Sequence, residues 1–298
     1  MTGEREWLTA RFEQHRSHLR AVAYRMLGSV SEADDAVQEA WLRIRGQDPQ
    51  SVENMRAWLT TIVGRVCLNM LRARRTRREE PSGVHLPDPV VSLDGSLSPE
   101  QQALLAESVG LALLTVLDTL RPPERLAFVL HDAFGVPFTD IATILHRSEA
   151  AAQQLASRAR RRMHGSHTPD PDLARQRAVV DAFFTASRDG NFGALVAVLD
   201  PNVELRIDGG ILRAEASLIL RGAHAVAAHS STYSELYPAV RPALVNGAAG
   251  AVVAPAGRVF SVMAFTVTHG KITQIDALAD PERLGQLSLA LPLDDNNV

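Results

Sequence analysis

The stretch FTDIATILHRSEAAAQQLASRARRRM, residues 138–163, decides how this chain reads. Its first eight residues, Phe138 to Leu145, put Ile141, Ala142, Ile144 and Leu145 on the apolar side of a short helix. His146-Arg147-Ser148 then makes a tight turn, with Ser148 suited to cap a second helix that runs to Met163. Along that helix Ala152, Ala156, Ala159 and Met163 recur at helical spacing, so small residues face the core. Gln153, Gln154, Ser157, Arg158, Arg160 and Arg161 are left pointing outward. A short helix, a three-residue turn and a longer basic helix make a helix-turn-helix, in which amide and guanidinium groups reach base edges and phosphates. An ordinary helical hairpin with a basic end fits the same pattern, so the rest of the chain has to decide.

Upstream, Arg121-Pro122-Pro123-Glu124 starts another helix, its prolines placed where a missing N–H costs nothing. Leu126, Phe128, Val129 and Leu130 follow, and Phe134-Gly135-Val136-Pro137 ends it. Near the front of the chain, Phe12, Leu19, Val22, Ala23, Met26 and Leu27 sit at helical spacing, and Gly28 ends that helix. Ser31-Glu32-Ala33-Asp34 reads as a capping box with Ser31 as N-cap. The helix it opens has Ala33, Val37, Ala40, Trp41 and Ile44 inside, with Asp35, Gln38 and Glu39 outside. A third helix carries the apolar stripe Met55, Trp58, Leu59, Ile62, Val63, Val66 and Met70, which reads as core. Its polar side gathers Arg56, Arg65, Asn69, Arg72, Arg74 and Arg75, then Arg77 and Arg78. Five arginines within residues 72–78 exceed what a helix dipole calls for, and they point to a phosphate-binding surface.

The 298 residues suggest two domains, or three small ones, and 46% apolar with 22% charged residues is ordinary globular usage. No apolar run is long enough to span a bilayer and the N-terminus lacks a signal-peptide stretch, so a cytoplasmic protein with no membrane role is expected. Cys67 is the single cysteine, which excludes an intrachain disulfide and any multi-cysteine metal site; no metal or cofactor is expected. The net charge of −3 conceals an imbalance. Residues 1–80 hold 14 Arg against 11 acids, whereas residues 169–298 hold 10 basic residues against 14 acids.

Two breaks divide the chain. Residues 79–99 include Pro81, Pro87, Pro89 and Pro99, and Gly165 to Pro171 includes Pro169 and Pro171. Beyond the second break, Leu173, Val179, Val180, Phe183 and Phe184 predict a helix closed near Asp189-Gly190-Asn191. A second runs from Phe192 to Leu199. Val203, Leu205 and Ile207 then alternate with polar residues as a strand does, and Asn246-Gly247 and His269-Gly270 signal hairpins. Helices followed by a curved antiparallel sheet describe an α+β cone.

Taken together these residues resemble a known family. Residues 10–80 resemble the second conserved region of sigma factors of the extracytoplasmic-function class. The closest stretches are Ala21 to Ser29, Asp34 to Leu42, and Arg56-Ala57-Trp58-Leu59-Thr60-Thr61. Residues 100–163 resemble the fourth region with its helix-turn-helix, and residues 172–298 a SnoaL-like, polyketide-cyclase-like domain. The resemblance implies a multi-domain chain: an all-α region 2 over 1–80, a Pro-rich linker over 81–99, an all-α region 4 over 100–164, and the α+β cone over 172–298. It implies a factor that directs core RNA polymerase to promoters, with the cone modulating it. Asp35, Gln38 and Glu39 would dock on the clamp helices of the polymerase beta-prime subunit. Arg56, Arg65, Asn69, Arg72, Arg74 and Arg75 would contact the −10 element, together with the loop from Gly46. The helix after Ser148 would read the −35 element through Gln153, Gln154, Ser157, Arg158, Arg160 and Arg161. Family members often carry basic residues where this chain has Gln153 and Leu155.

The subfamily with such an extension has three short signatures. They appear here as His85-Leu86-Pro87-Asp88-Pro89, Asp208-Gly209-Gly210 and Asp280-Pro281-Glu282-Arg283-Leu284, with a Trp and a Lys of the usual motifs missing. Charge asymmetry and architecture together suggest that the acidic cone packs on the basic regions, with the Leu86–Pro89 linker as a contact. The alternative is a cyclase, an isomerase or a ligand-sensing protein fused to a helix-turn-helix. In the enzyme reading Asp208, His224 and His229 form an acid–base set in an apolar cavity; no catalysis is expected, and a non-catalytic pocket for an unidentified small ligand is the preferred use of that cavity.

Overall fold

The computed structural model describes residues 2–45, 52, 54–77, 83–93, 110–163 and 169–287, which fall into two compact units. One unit holds the described residues up to Arg77 and those from Leu113 to Met163; the other holds 83–93, 110–112 and 169–287. Among the described residues no helix is long and apolar enough to cross a membrane.

The first unit is all-α. Helices α1 (Thr2–Leu27), α2 (Val30–Ile44) and α3 (Met55–Arg77) pack through Phe12, Leu19, Val22 and Met26 against Ala33, Val37 and Ala40 and against Leu59, Val63 and Val66. Gly28, at φ 73°, ends α1 in the left-handed region that a glycine adopts without strain. The cap of α2 differs from the sequence expectation: Ser29, two residues earlier, accepts the Glu32 N–H, and Asp34 instead forms a two-point ion pair with Arg20. With Ser-Val-Ser after the glycine, either serine satisfies the sequence rule, and the turn at Gly28 selects the first. Trp41, read from sequence as inside, is half-buried and lies obliquely against Phe12, at 5.1 Å between centroids.

Downstream come α4 (Leu111–Asp118), α5 (Pro122–Phe128) with a π-helical turn over Val129–Ala133, α6 (Phe138–Leu145) and α7 (Glu149–Met163). The side chain of Arg125 is fully buried. Its Nε and Nη2 donate to the Arg25 carbonyl at 3.3 and 3.2 Å, and its Nη1 donates to Asp118 at 2.7 Å. The Arg25 carbonyl lies in the last turn of α1, where no helical N–H remains to satisfy it. One buried guanidinium thus caps α1 while neutralising Asp118. Arg25 itself lies over the Phe134 ring, 4.8 Å from its centroid. Close approach continues at Gly64, where a Cβ would stand 3.0 Å from Leu130 Cδ1. Burial raises the Cys67 thiol to about 12, so it stays protonated and inert.

The second unit is the α+β cone. Helices α8 (Leu173–Arg188), α9 (Phe192–Val198) and α10 (Ala223–Ser231) cover one face of a mixed sheet. Its strands are β1 (Val91–Ser92), β2 (Leu199–Asp208), β3 (Leu218–Arg221), β4 (Val240–Val245), β5 (Ala248–Val253), β6 (Ser261–Thr268) and β7 (Lys271–Leu278). They lie in the order β1-β4-β5-β6-β7-β2-β3, and α11 (Pro281–Gln286) follows the last. Both predicted hairpins form: Asn246 and Gly247, like His269 and Gly270, take positive φ at the two central positions, as a right-twisted two-residue turn requires. Asp170 fixes the second, accepting the N–H groups of Gly270 and His269, which hold its carboxyl below the usual range. The sheet departs from the all-antiparallel expectation in one place, since β2 pairs with β7 in parallel. Helix α10 and the excursion through β3 to β6 separate these strands along the chain, so no hairpin constrains their direction.

Gly250 sits where β4, β5 and β6 meet, and a Cβ there would stand 2.5 Å from Val245 and 2.6 Å from the Met263 carbonyl. Gly250→Val should therefore overpack the sheet and destabilise the cone by about 1–3 kcal/mol, read as a lowered midpoint in urea. An unchanged midpoint would contradict this register.

Candidate functional site

The α2 face named from sequence is where it was expected. Ala33, Ala36, Val37, Ala40 and Ile44 are buried, so the helical period turns Asp35, Gln38 and Glu39 to solvent as one acidic patch. Glu39 also pairs with Arg43 one turn on, at 2.9 Å.

On α3, Arg56, Arg65, Asn69, Arg72 and Arg75 are exposed. Arg74 is turned elsewhere: it ion-pairs with Glu32 and reaches the Leu27 carbonyl at 3.5 Å, tying α3 to the corner between α1 and α2. Of the loop from Gly46, only Val52 and Asn54 to Arg56 fall within the described residues. Asn54 caps α3, its side chain accepting the Ala57 N–H at 3.0 Å.

Arg56 is steered by a relay. Its guanidinium donates to His18 Nδ1 at 3.0 Å, which leaves the imidazole proton on Nε2 to donate to Thr60 Oγ1 at 2.9 Å. Thr60 in turn donates to the Arg56 carbonyl at 2.8 Å. The ring is thus held neutral; burial first and the Arg56 charge second bring His18 down to about 4. Trp58, read from sequence as core, is only half-buried. With Asn54, Arg65 and Arg43 it lines an open groove of about 560 Å³, bordered also by Asp140 and Thr143 of α6.

The helix-turn-helix forms as read. His146 takes φ 53° to end α6, Ser148 accepts the Ala151 N–H at 3.3 Å, and Gln153, Gln154, Ser157, Arg158 and Arg161 are exposed on α7. Arg160 is the exception, bound to both oxygens of Asp132 at 2.6 and 2.7 Å. Leu155 is buried beside Ala152, Ala156 and Ala159, so it is a core position and its lack of charge carries no recognition meaning.

The three short signatures meet in the second unit. Asp208, 2% exposed, accepts the Leu86 N–H at 2.9 Å and Arg283 Nη1 at 2.7 Å on one oxygen, and the Gly210 N–H at 3.1 Å on the other. Arg283 Nη2 also donates to the Leu86 carbonyl and to Asp88, both at 2.6 Å. Asp280 caps α11, Leu284 is buried behind it, and Pro87 and Pro89 are buried on the linker side. At Gly210, φ is +64° and a Cβ would fall 2.3 Å from the Asp280 carboxylate, so only glycine fits. Beyond the cluster, Val90 and Asn246 exchange two hydrogen bonds and β1 pairs with β4. The linker segment is thus an edge strand of the cone. Asp208, His224 and His229 are not brought together: Asp208 is in this cluster, His224 is exposed against Phe192, and His229 lines a cavity.

Residues 11–77 match the sequence family described as sigma-70 region 2, and residues 110–163 match sigma-70, region 4. The chain is 38% identical to the ECF RNA polymerase sigma factor SigJ of Mycobacterium tuberculosis, over 91% of each sequence. It is 34% identical to the probable ECF RNA polymerase sigma factor SigI of the same organism, over 95% of this chain and 97% of that one. The crystal structure of SigJ superposes with a TM-score of 0.76 at 35% identity, covering 94% of this chain and 99% of that one.

Two outcomes follow from the geometry. Because folded His18 stays neutral while an unfolded histidine protonates near 6.5, its contribution to stability is present above that pH and lost as pH falls toward about 4. His18→Gln should flatten the acid limb of the stability profile across that window, and an unchanged limb would refute the relay. Arg283→Met leaves Asp208 buried without its counter-charge, a loss of about 3–5 kcal/mol for a buried pair. Hydrogen exchange at the Leu86 and Val90 amides should accelerate strongly; wild-type exchange would rule out the clamp.

Proposed function

The chain belongs to the ECF RNA polymerase sigma factors and directs polymerase to promoters; on that premise we propose how its parts divide the work. The acidic patch of Asp35, Gln38 and Glu39 docks on the clamp helices of the beta-prime subunit. It is an exposed polar face on a helix anchored by its other side, which leaves it free for a partner. Arg56, Arg65, Asn69, Arg72 and Arg75 engage the −10 element, where strand opening needs cationic and hydrogen-bonding side chains for phosphates and unpaired bases. The half-buried Trp58 beside Arg65 adds a ring on which a base stacks. Arg74 supports this surface from behind. On α7, Gln153, Gln154, Ser157, Arg158 and Arg161 read the −35 element, with Arg160 orienting the helix through Asp132.

The cone acts as a built-in regulator by holding the linker. The observation that carries this reading is the Asp208–Arg283 cluster, where two separate segments of the cone spend their hydrogen bonds on residues 86–88. The segment so gripped lies between regions 2 and 4 along the chain, so the cone's hold on it bears on both. Region 2 corresponds to residues 1–80, region 4 to 100–164 and the regulator to 172–298 with the linker of 81–99.

Run-off transcription with purified core polymerase tests the division. The triple variant Asp35→Ala, Gln38→Ala, Glu39→Ala should lose polymerase binding with an unchanged melting curve. Arg72→Ala should keep polymerase binding and weaken promoter binding evenly across sequences, lowering the salt slope by about 1. Polymerase binding by the triple variant at wild-type strength would overturn the docking face.

A further inference from the structure

The exposed side chains of α7 form one face, and two arginines mark its edges. At about 100° per residue, Gln153, Gln154, Ser157, Arg158 and Arg161 fall within an arc of about 140° of the helix surface. Arg160 and Arg162 lie just outside that arc, one at each edge and about 200° apart. Both are turned back toward the protein. Arg160 binds the two oxygens of Asp132 at 2.6 and 2.7 Å, and Arg162 donates to Glu124 at 3.1 Å. The two acceptors belong to α5 and to the π-helical turn that extends it. Glu124 is itself fixed, being only 4% exposed and accepting the Arg121 N–H at 3.3 Å.

The π-helical turn is what puts the second acceptor in place. In an unbroken α-helix, residues spaced as Glu124 and Asp132 are would stand about 80° apart, and His131 would share the side of Glu124 instead. A π-helical turn takes in one residue more, which brings Asp132 to within about 20° of Glu124. His131, displaced from that side, stacks on Phe138 with centroids 3.8 Å apart and donates from Nδ1 to the Val136 carbonyl at 3.0 Å. One turn thus holds the start of α6 with His131 and the last third of α7 with Asp132.

We propose that Asp132 and Glu124 are positioning residues that set the roll of α7 about its axis, and so decide which of its side chains face the −35 base edges. Tethers at opposite edges of the exposed face resist rotation in both senses, which a single tether cannot do. The Arg160–Asp132 pair is two-pronged, so it fixes a direction as well as a distance. Exposed ion pairs stabilise a fold little, so orientation is the main consequence of this one. Base edges are read by where each amide or guanidinium stands, whereas phosphates attract charge without regard to sequence. A change of roll therefore alters the preferred sequence more than the overall affinity. The consequence for promoters rests on the reading of α7 as the −35 reader; the tethers themselves do not.

Two readouts on the full-length protein test this. Nitroxide labels at Gln154→Cys and Thr119→Cys report the position of α7 against the start of α5 by electron–electron double resonance, and buried Cys67 stays unlabelled. Asp132→Ala and Arg160→Met should each shift the label distance while melting stays close to wild type. The charge exchange Asp132→Arg with Arg160→Asp should restore it. In holoenzyme on promoters randomised at the −35 element, the same single variants, without labels, should lose about tenfold in preference for the favoured sequence, what one mismatched base costs. Direct phosphate contact by Arg160 predicts the opposite for Asp132→Ala: the freed arginine would bind every promoter at least as tightly, with preference unchanged. That result would overturn the proposal, as would an unchanged label distance in both single variants or a loss spread evenly over the library. Shifted distances beside a wild-type holoenzyme indifferent to the −35 sequence would count against the −35 reading and not against the tethers.

Discussion

The ion pair between Arg283 and Asp208 is the constraint on which the second unit depends. A carboxylate only 2% exposed is tolerable when both its oxygens are hydrogen-bonded and its charge is paired, and here an arginine, the Leu86 amide and the Gly210 amide do this. The arginine then has donors left for Asp88 and the Leu86 carbonyl. A Pro-rich segment that would otherwise connect helices as loose chain becomes an edge strand because this pair holds its start and Asn246 holds its end. The missing Lys of the usual second signature does not break the cluster, since Arg283 of the third supplies the cation. Nor does the missing Trp: Leu86, fully buried, provides the apolar anchor, while His85 stands exposed 3.7 Å from Asp208.

The first unit follows the same logic with different groups. Arg125 serves a helix end that has run out of donors, and Asp118 balances its charge. His18 positions Arg56 by staying neutral. In both cases a polar group inside an apolar setting fixes the direction of a surface that is proposed to meet polymerase or DNA. The arginine-rich face of α3 is therefore a mixture: Arg56 and Arg74 are held by the fold, whereas Arg65 and Arg72 extend into solvent.

Much of this was legible from the residues. The α6 boundaries, the tight turn at His146 and both two-residue hairpins follow from local chemistry, because a stripe, a cap or an Asn-Gly pair acts over a few residues. The exposed face of α2 followed from helical period alone. What the pattern hid was non-local. Nothing in the neighbourhood of Arg125 marks it as buried, since an arginine reads as surface until the chain brings the Arg25 carbonyl to it. Leu155 looked like a lost basic residue, but the packing stripe of α7 widens to include it. The two-residue strand β1 is too short for any periodicity, and the parallel β2–β7 pair depends on the order in which the sheet assembles. Motif resemblance named the three signatures; that they form one hydrogen-bonded cluster needed the fold.

The central claim is that the cone regulates through the clamp on its linker. The most direct measurement is the rate of open-complex formation by holoenzyme carrying wild-type protein, Asp208→Ala, Arg283→Met, or both changes together. If the clamp acts as one unit, the two single variants shift the rate in the same direction and by the same amount, and the double variant goes no further. Additive shifts, or rates equal to wild type throughout, would contradict the account.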